Sequence, residues 1–202
     1  MALLWRLPLL LALMAAVAWI DWRRHGDRAT KWREYGFLLA VGLLGGMLGV
    51  AIDQITATIS PEYFVVGKGI AHDDYFRLNI ALFGFQGGLV AGMAIGGMFL
   101  IANNPRPDRP SLPTPRLFWL ASWPIWIALA AVPFGCFAAL RWDPIGLAKE
   151  LSDVISLAAM AQFLAVWGIH LGLYVGGAVG AVFGVVRVRR LRTKAWNSEK
   201  SD

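Results

Sequence analysis

The 202-residue chain has one cysteine, Cys136, and three histidines. A single cysteine excludes an intramolecular disulfide and any cysteine-based metal site within one chain. Charge is scarce too: 16% of residues carry it, against roughly a quarter in an average soluble domain. With 57% hydrophobic residues, a soluble chain of this length would expose more apolar surface than one core can hide. GxSxG, P-loop, GxGxxG, HExxH and CxxC strings are all missing, so the common hydrolase, nucleotide, zinc-protease and dithiol signatures fall away. What remains is an integral, all-α membrane protein.

Five long apolar runs are present, at about residues 2–20, 36–58, 78–102, 117–140 and 159–186. Each approaches the roughly 20 helical residues that cross about 30 Å of hydrocarbon. Residues 7–20 also have the length of a signal-peptide core, and charge placement decides between the two readings. Fourteen of the nineteen Lys and Arg lie after the first run, after the third, and in the tail. That alternation fits five transmembrane helices with the N-terminus out and the C-terminus in. Residues 1–190 then form one bundle, and residues 191–202 a basic, disordered cytoplasmic tail. The expected location is the bacterial cytoplasmic (inner) membrane. The formal charge of +6 serves topology and anionic lipid head groups at the basic loop and tail, not nucleic acid.

The connection 103–116 holds five of the ten prolines and reads as an extended strap. Asp143-Pro144 reads as an N-cap followed by an N1 proline. A short amphipathic helix through Leu147, Leu151 and Ile155 is expected at the outer surface.

Glycines recur every fourth residue in two runs: Gly84, Gly88, Gly92 and Gly96, then Gly168, Gly172, Gly176, Gly180 and Gly184. Gly42, Gly46 and Gly49 mark a third face. Such rows let helix backbones approach in lipid, so the runs predict tight glycine-zipper packing through the third and fifth segments, within the chain or between copies.

Ionisable residues inside a span are costly and need a reason. Two occur, Asp53 and His170. Asp53 extends the Gly42–Gly46–Gly49 face, so it meets a neighbouring helix. Rise per residue places it ~7 Å below the outer surface and His170 ~16 Å below. Trp167, His170 and Tyr174 share one stripe, and Asn79, Gln86 and Met93 another. The stripes converge either on a cavity with an exchangeable proton or on hydrogen bonds that fix helix register. Asp53, Glu62, His72, Asp73 and His170 share the outer half but match no metal-ligand spacing, and no metal or cofactor is expected. Ser60-Pro61-Glu62 is a helix start, with Ser as cap and Pro at the first position.

Asp53-Gln54, then Ser60-Pro61-Glu62-Tyr63-Phe64, then His170 with Tyr174 and Gly176-Gly177, resemble the DQ…SPEYF and His…Tyr-x-Gly-Gly signatures of an uncharacterised group of small bacterial multi-pass membrane proteins. That group has four spans, so the run at 2–20 is a departure. The resemblance implies a site at Asp53, Gln54, Glu62, Tyr63, His170 and Tyr174, without naming a reaction.

Three functions fit. The first is an accessory or scaffold subunit, with a membrane partner or a second copy held through glycine faces and tail. The second is a small proton-linked transporter using Asp53 and His170. The third is an intramembrane acid–base enzyme using Glu62, Asp53 and His170.

Overall fold

The computed structural model describes residues 2–106 and 110–199. Arg109 and residues 200–202, part of the expected basic strap and tail, lie outside them. The described elements are all helical: α1 Ala2–His25, α2 Lys31–Ile59, α3 Pro61–Lys68, α4 Phe76–Ala102, α5 Thr114–Ala121, α6 Trp123–Trp142, α7 Leu147–Leu151 and α8 Leu157–Glu199, with a 3-10 turn at Gly26–Arg28. Four stretches are long and apolar enough to cross a membrane: Lys31–Ile59, Phe76–Ala102, Thr114–Trp142 and Leu157–Lys194. Their outward faces carry Leu43, Leu44, Met47, Ile101, Trp126, Phe134 and Val179, all exposed. A soluble monomer rarely shows apolar patches of that extent, and the chain reads as a multi-pass membrane protein.

Local chemistry sets the helix ends. The Asp21 carboxylate at the end of α1 accepts from the amides of Thr30 (2.9 Å) and Lys31 (3.0 Å), the first donors of α2. The Lys31 amide, chiefly, holds the Asp21 carboxyl below the usual carboxylate range. Ser60 ends α2 and caps α3, its Oγ accepting from the Tyr63 amide at 3.3 Å. α2 is thus continuous through Asp53 to Ile59.

The fourth segment differs from the sequence expectation. It begins at Thr114 and breaks at Ser122, because Pro124 has no amide proton and its ring crowds the preceding turn. Asp143 does cap a helix, but at a distance. In the left-handed region (φ 37°), it accepts from Leu147 and Ala148, so α7 starts three residues later than expected. Ile155 lies beyond α7 and is buried. The tail expected to be disordered continues α8 to Glu199.

The described residues of the strap, 104–106 and 110–113, are non-helical, consistent with their prolines. Asn103 holds it by donating to the Leu112 carbonyl (3.1 Å) and accepting from the Leu112 amide (2.8 Å). Arg192, expected in the solvated tail, is instead buried. Its guanidinium donates to the carbonyls of Ala102 (2.6 Å), Asn104 (2.7 Å) and Pro110 (3.0 Å). Those carbonyls include the end of α4, where the helix dipole favours a cation.

The glycine rows lie inside the chain, but they do not face each other. α2 and α4 form one long hairpin, α6 and α8 another, and α4 meets α8 only along a short seam. Gly84, Gly88 and Gly92 lie against the α2 backbone at Gly49, Gly45 and Val41. Gly168, Gly172, Gly176 and Gly180 lie against α6 at Gly135, Ala131, Ala128 and Pro124. Each row therefore closes its own hairpin. Two apolar clusters fill the seam. The one beside α3 includes Tyr63, Phe64, Ile80 and Phe163, and the one beside α5 includes Phe37, Phe99, Leu120 and Val188.

A methyl group at Gly88 would overlap the Gly45 carbonyl, whereas one at Gly87 meets nothing within 4 Å. Gly88→Ala is therefore expected to lose about 1–3 kcal/mol by overpacking, with Gly87→Ala unchanged, in unfolding titrations of the detergent-solubilised protein.

Candidate functional site

Asp53 and His170 meet. His170 Nε2 lies 2.9 Å from Asp53 Oδ1, joining α8 of one hairpin to α2 of the other. Both residues are buried, at 6% and 5% exposure. Their depths along their own helices differ, because α8 begins above the end of α2: its Met160, Phe163 and Leu164 pack against Tyr63 and Phe64 of α3. His170 is thus far into α8 yet level with Asp53. Gly84 makes room for the acid, since a Cβ there would come within 2.7 Å of Asp53 Oδ2.

Hydrogen-bond geometry fixes the proton count. His170 Nδ1 is 2.8 Å from the Val166 carbonyl, which can only accept, so Nδ1 carries a proton. Nε2 then faces Asp53, and one further proton must sit between them. The pair is either imidazolium with carboxylate or imidazole with carboxylic acid, and each arrangement has zero net charge. Removing that proton sets a lone pair against a carboxylate at hydrogen-bond distance.

Aromatic rings enclose the imidazole. Tyr63 stacks on it with centroids 4.8 Å apart and planes 20° apart, and Phe64 meets it edge-on at 6.2 Å. Burial, above all, pushes the Tyr63 phenol well up from its ordinary value, so it stays protonated. Tyr174 lies 6.2 Å away and is largely exposed. A cleft of about 280 Å³ opens onto His170 between α3, α7 and α8, lined by Tyr63, Lys68, Leu151, Phe163, Trp167 and Tyr174 among others.

The remaining expected site residues go elsewhere. Gln54 turns to the start of α4, donating to the Arg77 carbonyl at 2.8 Å while the Arg77 guanidinium donates to the Gln54 carbonyl at 2.9 Å. Glu62 accepts from the Ser60 hydroxyl at 3.0 Å. Neither touches the pair. The Trp167–His170–Tyr174 stripe does line one cleft. The Asn79–Gln86–Met93 stripe does not join it: Gln86 is exposed, and Met93 lies where a Cβ on Gly42 would go. Among the described residues, no three His, Cys, Asp or Glu gather as a metal site. Lys68 and Phe163 are parts of the cleft that the sequence did not mark; Phe163 had a readable signal, lying one turn before Trp167 on the same face.

Comparison with protein-family models, curated proteins and solved structures finds no match for the chain. Its function is argued from this geometry.

Asn at position 53 can donate its amide to Nε2 and keep the bond, whereas Ala leaves Nε2 facing nothing. Thermal unfolding is therefore expected to place Asp53→Asn near wild type and Asp53→Ala about 1–3 kcal/mol lower. Equal loss in both would show that the acid, not the bond, holds the seam.

Proposed function

We propose that the protein is a small proton-linked membrane carrier in which the Asp53–His170 pair is the proton site. One observation carries this reading: a buried, single-proton hydrogen bond joins two separately packed hairpins at the floor of a cleft. While the proton is present, the pair latches the outer seam. When it leaves, two acceptors face one another and the latch is repulsive, so proton occupancy biases the seam. Buried ionisable groups in spans commonly mark ion and proton pathways.

The wider architecture belongs to the same proposal. α1 adds a fifth span, the N-terminus faces out and the C-terminus in, and the glycine rows act as zippers within each hairpin. The membrane is the bacterial inner membrane, and the exposed basic residues of loop and tail meet anionic lipid. The kinship with the DQ…SPEYF group is part of it as well. Fourteen inner against five outer Lys and Arg support the orientation. In a Cys136→Ala background, Ser111→Cys is expected to react with an impermeant maleimide only after permeabilisation, and Ala71→Cys without it. The reverse pattern would invert the topology.

The scaffold reading keeps one specific support: the pair leaves no buried polar atom without a partner, as a register-fixing clip would. Its glycine faces, however, are spent inside the chain, which leaves them no partner to hold. The enzyme reading loses Glu62, which is tied to Ser60. Proteoliposomes on a solid-supported membrane separate carrier from clip. A pH jump is expected to give a transient charge displacement in wild type that Asp53→Asn abolishes at unchanged stability. Equal transients in the two proteins would overturn the carrier reading.

A further inference from the structure

The cleft above His170 has a chemistry of its own. Its walls are aromatic and aliphatic: Tyr63, Phe163, Trp167 and Tyr174, with Leu151 closing the α7 side. Apart from His170 of the pair, its one basic side chain is Lys68, at the end of α3. The Lys68 ammonium lies over two rings, 5.3 Å from the Tyr63 centroid and 5.9 Å from Phe83, and makes no ion pair among the described residues. No carboxylate lines the cleft; Asp53 is engaged with His170. Tyr63 is 3% exposed and lines the cleft, and its hydroxyl, which bonds no described residue, is not among the buried polar atoms and so stays accessible. An accessible phenol at a cleft wall can donate to a ligand acceptor.

We propose that this cleft binds a small monoanionic amphiphile, a ring or short chain bearing one carboxylate or phosphate. The anion sits at Lys68, the apolar body lies between Trp167, Tyr174 and Leu151, and Tyr63 donates to it. Three features exclude the alternatives. The free ammonium repels a cation, so the aromatic walls are not a cation cage. A volume of about 280 Å³ lies at the small end of ligand sites, near the ~300 Å³ where they begin, which limits the body to about one ring system. A neutral hydrocarbon would leave both Lys68 and the Tyr63 hydroxyl unanswered. The inference rests on the carrier reading and names its substrate class, since the bound molecule lies directly over the proton pair.

The test uses the full chain in phosphatidylcholine nanodiscs, with 1-naphthoate as the probe and 1-naphthalenemethanol as its neutral counterpart, each corrected for binding to empty discs. Saturable naphthoate binding at least tenfold tighter than the alcohol is expected. Lys68→Gln should bring naphthoate down to the alcohol's level, and Lys68→Arg should restore it. Gly67→Leu should weaken both probes, because a Cβ at Gly67 already meets the Phe163 ring at 3.5 Å. No preference for the anion in wild type, or an unchanged preference in Lys68→Gln, overturns the proposal. Adding phosphatidylglycerol separates the sources. Competition assigns the anion to lipid phosphate and undiminished binding to a free amphiphile, and both uphold the anion site. Asp53→Asn keeps the two readings apart: if it retains both naphthoate binding and the pH-jump transient, the carrier reading fails and the binding site stands.

Discussion

Helices in a bilayer gain nothing from hiding oil in oil, so they associate where their backbones come close. This chain meets that condition twice. Gly45 and Gly49 lie against Gly88 and Gly84, and Gly135 with the alanines of α6 against Gly168, Gly172 and Gly176. At those positions a single methyl group collides with a carbonyl of the facing helix. Both pairings form between neighbours in the chain, each with a short helix in its connection, α3 in the first and α7 in the second. The hairpins are therefore the stiff units, and chemistry is left to the seam between them.

Polar contacts mark both ends of that seam. At the α3 end it is one bond, Asp53 to His170, whose existence depends on one proton. At the strap end Arg192 gathers three carbonyls from the end of α4 and the strap. An arginine keeps its charge at any pH a cell reaches, so this contact is indifferent to protons. One fastening is conditional and the other permanent, and the conditional one adjoins the cleft.

Helical periodicity made much of this legible. The spacing of Gly42, Gly46, Gly49 and Asp53 put the acid on a packing face, and Trp167, His170 and Tyr174 were read correctly as one stripe. Periodicity speaks only of faces, however, and pairing between helices follows from connectivity and shape. The two glycine rows therefore marked close packing without naming their partners, and each meets a neighbour whose small residues are less regular: α6 presents Ala128, Ala131, Gly135 and Ala139. Depth along a helix failed for a related reason. Counting from the ends of α2 and α8 assumes that both ends lie at one level, and α8 starts higher, beside Tyr63 and Phe64. Arg192 was illegible because its partners are main-chain carbonyls, which no side-chain pattern announces. Gln54 followed the acid in sequence, yet the next position on a helix points about 100° away, toward Arg77.

α8 is one unbroken helix from Leu157 to Glu199. From His170 to its last described turn it runs ~43 Å at 1.5 Å per residue, well over the ~30 Å of hydrocarbon. Arg192 sits 22 residues on from His170, ~33 Å along that helix, and pins it to the end of α4 and the strap. α8 is therefore a single strut that carries both polar fastenings of the seam and fixes the distance between them.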